Sequence, residues 1–307
     1  CKFAKGNRMQ QHWDDVRVFL AVARAASLSG AGKRLRIDPA TVGRRIARLE
    51  RSMAAALFVK SPQGYVLTNA GQRLMERAEP VEAAMQAASD VLNTTSEELS
   101  GQIRLGAPDG CANYLLPQVC AAICADHPDL DIQIVALPRV INLTKREADM
   151  AIGVSQPTAG RLSVQKITDY SLSLVGARSY LRNHDPIERL EDLKGHKMIG
   201  YIPDMIFDKE LDYLSETGMD RVSLASNSVS VQMAWIRQGI GLGIVHNFAI
   251  SPFIRRFVRL LPDELNLVRS FYLIRHQDDR RLERMNRFSE ALVAGIREEV
   301  QRLESAT

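Results

Sequence analysis

Three arginines, Arg44, Arg45 and Arg48, fall within the short stretch DPATVGRRIARLE at residues 38–50. A guanidinium presents a rigid fork of donors that matches two phosphate oxygens or the O6 and N7 edge of guanine, so this grouping suits a nucleic acid. In the same stretch Val42, Ile46 and Leu49 recur at steps of four and three, which predicts a helix with one buried apolar ridge. Thr41, Gly43 and the arginines then lie away from that ridge, and the first turn, with Pro39 and Ala40, carries little bulk. Such a helix can enter the major groove of double-stranded DNA. Pro39, Ala40, Gly43 and Arg44 would lie near base edges, with Thr41, Arg45 and Arg48 on the backbone. A surface helix with merely solvated arginines is the plainer alternative.

Other residues able to do chemistry point to no catalyst. The Ser, His and Asp residues of the C-terminal two thirds sit in no nucleophile-elbow or metal-ligand spacing. Cys120, Cys124 and His127 share one helical face, but LLPQVCAAICADHPDL reads as small apolar residues packing inward, without a fourth ligand nearby. GIGLG at 239–243 leaves a helix and enters a strand, the reverse of a dinucleotide-binding loop, and predicts a tight turn. No metal, cofactor or catalytic residue is assigned, so the chain reads as no enzyme.

Composition is that of packed globular domains, 46% hydrophobic and 25% charged over 307 residues, enough for two or three of them. No run is long and apolar enough for a membrane span, and CKFAKGNRMQ lacks the apolar core of a secretion signal. A soluble, cytoplasmic protein is expected, and its four cysteines then argue against a disulfide framework. The first 60 residues hold thirteen basic and four acidic side chains, +9, which leaves −5 for the rest of a chain at +4. A basic head tethered to a mildly acidic body suggests that only the head meets a polyanion.

The elements that must position the arginines can be read around them. Trp13, Val16, Phe19, Leu20 and Ala23 predict a first helix, and Ser29 is the predicted cap of a short second one that ends near Leu35 despite Gly30 and Gly32. Asp38 caps the third, with Pro39 at its first position. SPQGYVLT predicts a hairpin or wing beside this trio. Thr68 then caps a long helix in which Leu74, Ala78, Val81, Met85, Ala88 and Leu92 form a heptad seam, interrupted by a bend or a lost backbone bond at Pro80. From Gly101 onward short apolar runs alternate with amphipathic stretches such as NYLLPQVCAAICADH, FDKELDYLSETG and SVQMAWIRQGI, an α/β pattern in two rounds.

The stretch from Phe19 to Leu74 resembles the winged helix-turn-helix of LysR-type transcriptional regulators. The likeness rests on Phe19, Val22, Ala23, the Ser27-Leu28-Ser29 entry, Leu35, Val42, Arg45, Ile46, Leu49-Glu50, Leu57-Phe58, Leu67-Thr68 and Ala70-Gly71. It differs at Gly30 and Gly32, where alanines are usual, at Asp38-Pro39, where a Ser-Gln pair is common, and in a wing whose basic residue is Lys60. The resemblance adds Ser27, Ser29 and Lys60 to the DNA-contacting set. LLPQVCAAICADHPDLDIQI, ADMAIG, LEDLKGHKMI and IRQGIGLGIV resemble the effector-binding domain of the same family, akin to type 2 periplasmic binding proteins. It implies a winged helix-turn-helix at 11–68, a linker and dimerisation helix at 69–100, and an effector domain at 101–307. The first lobe of that domain would take 101–172 and 270–307, and the second 173–269. It further implies a homodimer or homotetramer with a small molecule between the lobes.

In α/β sheets ligands sit beyond the carboxyl ends of strands, and helix N-termini favour anions. That rule marks Asp109, Gly110 and Cys111, Pro138 and Arg139, Gly153, Tyr201, Ser228 and Ser230, and His246 as effector-site candidates. His246 is either a ligand contact or a turn residue. Arg139 would attract a carboxylate and Asp109 repel one, which leaves the effector's charge open. Cys111, at a helix start that would stabilise a thiolate, offers an oxidation-based alternative to a small molecule.

Overall fold

The computed structural model describes residues 13–61, 64–93, 99–136, 143, 147–158 and 160–306. Two compact units form, one within the first 95 residues and one built mainly from residues 96–143, 147–277 and 284–307.

The first unit contains α1 (Trp13–Ala25), α2 (Leu28–Leu35), α3 (Pro39–Met53), the antiparallel pair β1 (Phe58–Ser61) and β2 (Gly64–Leu67), and α4 (Asn69–Asn93). Ala26 turns the chain through a left-handed conformation, φ 48°, which leaves Ser27 extended at the head of α2. The Gly30 amide donates to Ser27 Oγ at 3.2 Å, so the cap is Ser27 and not Ser29, which lies exposed inside the first turn. Asp38 does cap α3, accepting from the Thr41 amide at 2.9 Å, with Pro39 first in the helix. Gly32 is required: a Cβ there would lie 2.7 Å from the Ile37 carbonyl oxygen, so the turn between α2 and α3 closes over a missing side chain.

Phe19, Leu20, Val22, Val42, Ile46 and Leu49 are buried together, and Phe19 meets Phe58 of the wing at 5.3 Å between ring centres. Each such side chain contributes roughly 1.5–3 kcal/mol by leaving water. Glu50 accepts from the Leu57 and Phe58 amides at 2.7 and 3.2 Å, fixing where the wing begins. Arg24, on α1, forks onto Glu82 at 2.7 and 3.2 Å and approaches Glu79 at 3.7 Å, tying α1 to α4 in a nearly dry setting. Thr68 caps α4 by accepting from the Gly71 amide at 3.0 Å. The helix runs on through Pro80, whose ring nitrogen has no N–H to donate, so one backbone bond is lost without ending the helix. Of the predicted seam, Leu74 and Ala78 pack into the core of this unit while Val81, Met85 and Ala88 are exposed; the side chain of Leu92 lies outside the described residues.

The second unit contains β3 (Gly101–Ala107), α5 (Asp109–Tyr114), α6 (Leu116–Asp126), β4 (Leu130–Ala136), β5 (Met150–Gly153), β6 (Leu162–Ala177) and α7 (Arg178–Leu181). It continues with β7 (Met198–Gly200), β8 (Leu224–Ala225), α8 (Val229–Arg237), β9 (Leu242–His246), α9 (Asn247–Ile250), β10 (Phe257–Leu260), β11 (Asn266–His276) and α10 (Glu283–Ser305). Its strands join in the order β4-β3-β5-β11-β6-β9-β7-β8, with β10 added along β6. Parallel β3, β4 and β5 make the first lobe, parallel β7, β8 and β9 the second. The long antiparallel pair β6 and β11 runs through both, with a register shift at Phe271/Tyr272.

The apolar run SLSLVGA at 171–177 forms the second half of β6, whose first half, 162–170, alternates irregularly. FDKELDYLSETG forms two 3₁₀ turns, Lys209–Leu211 and Ser215–Thr217, in place of a regular amphipathic element. Asp208 accepts from the Glu210 amide at 3.0 Å and Asp212 from the Ser215 amide at 3.5 Å, local bonds that compete with a helix. Gly239, at φ 72°, ends α8 in the tight turn expected of GIGLG. Among the described residues no helix is long and apolar enough to cross a membrane.

Candidate DNA interface and effector cleft

On α3 the ridge of Val42, Ile46 and Leu49 is buried, and the other flank is open. Pro39, Ala40 and Arg44 are exposed, and Thr41 and Gly43 are partly so. A Cβ on Gly43 would touch only Leu28, at 3.5 Å, so glycine here is not forced by packing and leaves the backbone free to be approached closely. Arg44 donates from Nη2 to Thr41 Oγ1 at 2.7 Å, which stiffens the side chain at the helix start. Lys60, on β1, is exposed with its ammonium 5.9 Å from the Tyr65 ring centre.

Two of the predicted backbone contacts are engaged within the chain. Arg48 donates from Nε and Nη2 to Asp15 at 2.6 and 2.5 Å, and Arg45 approaches Asp14 at 3.6 Å and Asp15 at 4.0 Å. Asp15, only 2% exposed, thus steers the Arg48 guanidinium, whose side chain remains 54% exposed. The sequence reading missed this because Asp14 and Asp15 were counted only as charge; acidic residues opening α1 opposite an arginine-bearing helix were the available signal.

In the second unit the structure brings Asp109, Gly110, Tyr201, Ser228, Ser230 and His246 together. Pro108 holds the extended backbone before α5, so Asp109 opens that helix beyond the end of β3. Asp109 faces the start of α8. Its Oδ2 accepts from the Val229 amide at 2.7 Å, the Ser228 hydroxyl at 3.2 Å and the Ser230 amide at 3.4 Å; its Oδ1 accepts from Asn113 at 3.0 Å. His246, at the end of β9, packs its ring against Gly110, where a Cβ would lie 2.9 Å from it, and sits between Tyr170 and Phe248 at 5.4 and 4.8 Å.

The His246 ring is 4% exposed, and burial lowers its pKa to about 3, so it is neutral at pH 7. Burial likewise raises the pKa of Tyr170, Tyr201 and Tyr213. The Nδ1 of His246 is buried without a hydrogen-bond partner among the described residues, and the buried hydroxyls of Tyr170 and Tyr213 lie close enough to act on each other without forming a well-aligned hydrogen bond. Next to them lies a cavity of about 340 Å³ whose wall includes Tyr201, Leu211, Tyr213, Val222 and Ile244. Tyr170 and Tyr213 escaped the sequence reading, since mid-strand and turn tyrosines carry no strand-end signal.

Cys111 is wholly buried and its thiol pKa is pushed up by burial and by neighbouring Cys120, the opposite of the activated thiolate suggested by its helix start. Gly153 lines a separate cavity of about 120 Å³ with Pro108, Ile152, Phe207 and Asp208. Pro138 and Arg139 lie outside the described residues. His127, once paired with Cys120 and Cys124 as a weak metal candidate, accepts from the Leu99 amide at 3.1 Å, and no metal-binding cluster is present among the described residues.

A winged helix-turn-helix with an open arginine-bearing helix, followed by a two-lobed α/β unit with a polar cleft, defines a DNA-binding protein coupled to a ligand-binding module. Residues 13–72 match the family model described as bacterial regulatory helix-turn-helix protein, lysR family, and residues 96–297 match the LysR substrate binding domain. The chain belongs to the LysR family of transcription regulators, which bind DNA and carry an effector-binding domain and are not enzymes. It is 24% identical over 262 residues to the HTH-type transcriptional activator TtdR of Escherichia coli strain K12, covering 81% of this chain and 82% of that protein. Its fold is similar to that of CrgA from Neisseria meningitidis, with TM-score 0.59, 20% identity and coverage of 94% and 99%. LysG from Corynebacterium glutamicum, solved with bound effector Arg, is similar with TM-score 0.61 and 18% identity over 94% and 99% of the two chains.

Proposed function

We propose that α3 reads an operator from the major groove, with Pro39, Ala40, Gly43 and Arg44 at base edges and Thr41, Arg45 and Arg48 on the sugar-phosphate backbone. Ser27, Ser29 and Lys60 add backbone contacts beside it. The observation that carries this reading is the exposed Gly43–Arg44 flank opposite the buried Val42, Ile46 and Leu49. The head takes residues 11–68, the linker 69–100, and the lobes divide at 172/173 and 269/270 within 101–307. Exposed Val81 and Met85 on α4 support pairing of two copies through that helix, a homodimer able to assemble into a tetramer, in the cytoplasm.

A small molecule held near Asp109, Gly110, Tyr201, Ser228, Ser230 and His246 shifts the lobes between two arrangements and so alters operator occupancy; Pro138 and Arg139, outside the described residues, belong to the same proposed contact set. Burial of Cys111 disfavours oxidation of that thiol as the trigger. Sequencing of DNA fragments retained by the purified protein tests the reading: a symmetric site with half-sites about one helical turn or a multiple apart supports it. Retention of fragments without common sequence contradicts it.

A further inference from the structure

The N-terminus of α8 is the place in the second lobe best suited to an anion, because its first amides have no partner within the helix and the helix dipole adds to their attraction. That place is already taken. Asp109 comes from α5 of the first lobe, 120 residues away in sequence, and its carboxylate accepts from the amides of Val229 and Ser230 and from the hydroxyl of Ser228. Asn113 holds the second oxygen at 3.0 Å. One residue on, Gly110 packs against the His246 ring, whose Nδ1 is buried without a hydrogen-bond partner among the described residues.

We propose that Asp109 is a built-in occupant of the cleft's anion subsite: its carboxylate clasps the two lobes together and makes the wild-type cleft select a neutral or cationic effector over an anionic one. The inference rests on the effector reading of this cleft and names the class of molecule it takes.

The surroundings agree with that class. The described residues around the 340 Å³ cavity, which lies in the second lobe and shares Tyr201 with the cleft but is not lined by Asp109 or His246, include Asp212 and Asp220 but no lysine or arginine. Arg269, close enough to act electrostatically on Tyr170 and Tyr213, is committed to Glu210 at 3.0 Å and Glu216 at 3.3 Å. The enclosed groups, His246, Tyr170 and Tyr213, are uncharged donors and acceptors. A second anion beside Asp109 would meet a like charge, whereas a hydroxyl, amide or ammonium could pair with these groups.

Amide hydrogen exchange of the full-length protein tests the proposal, with inorganic sulfate as the probe anion and chloride at matched ionic strength as the control. In the wild type the Val229 and Ser230 amides are protected and sulfate changes nothing. In Asp109→Ala they exchange about tenfold faster or more, and sulfate restores their protection. Asp109→Ser gives the same pattern if the alanine variant folds poorly. Equal exchange in wild type and variants, or sulfate protection as strong in the wild type as in the variants, overturns the proposal, as does the lack of any sulfate response in both. Binding of the same preparations to duplex DNA at low salt is read in parallel. Its absence in the wild type would count against the regulator reading while leaving the result on Asp109 standing.

Discussion

In the head, Arg44 and Arg48 of α3 are exposed, and Asp15 of a neighbouring helix steers Arg48 while leaving its side chain half in water. In the effector unit, the polar groups are enclosed, His246 is held neutral, and the Asp109 carboxylate is consumed by the start of α8. The difference follows from what each region meets. A polyanion is recognised by charges kept in water until contact, whereas a small molecule is recognised by a few enclosed groups whose unmet hydrogen bonds give specificity.

The contrast can be broken or sharpened by experiment, and the protein supplies its own reporters: Trp13 lies in the head and Trp235 in the effector unit. The largest effect expected is on pH dependence. Between pH 6.5 and about 3 the unfolded chain protonates His246 and the folded one does not, so the effector unit is destabilised as pH falls through that window, by roughly 5 kcal/mol in total. Above 6.5 this residue contributes no slope. Urea unfolding followed by Trp235 in a Trp13→Phe chain should show the loss, and His246→Phe should flatten it; an unchanged profile would mean the ring is not buried neutral.

Arg24→Ala leaves Glu79 buried without its cation, and the head should lose about 3 kcal/mol, seen as earlier unfolding by Trp13 with the Trp235 transition unmoved. Gly110→Ala drives a methyl into the His246 ring and should cost the effector unit about 1–3 kcal/mol while leaving the head intact. The smallest effect on DNA affinity belongs to Arg48→Ala, which also strips the buried Asp15 of its forked partner and so lowers the stability of the head. It should weaken binding to all DNA sequences alike and lower the slope of log affinity against log salt by about one, in a fluorescence-anisotropy titration. Loss of sequence preference in that variant would blur the division between backbone and base contacts.

How far each region could be read in advance follows the same divide. The α3 ridge, the Asp38 cap and the open Gly43 flank lie within 13 residues, and one helical period was enough to place them. The cap of α2 was misplaced by two residues because Ser27 and Ser29 both suit it; the left-handed turn at Ala26, a tertiary choice, decides. The cleft was legible only as a set of strand ends. Its decisive contact joins residues 109 and 229 across two lobes, and its buried hydroxyls sit on Tyr170 and Tyr213, where no local pattern marks them. Cys111 was misread for a related reason: a helix start stabilises a thiolate only if water reaches it, and burial is set by the rest of the fold.

The account depends most on the exposed start of α3 discriminating between DNA sequences. The direct measurement is the ratio of affinities for the selected operator and for a scrambled duplex, in the wild type and in Arg44→Ala, at two salt concentrations. The account predicts that the ratio falls about tenfold or more in the variant, while the salt slope changes by no more than about one. An unchanged ratio would contradict it.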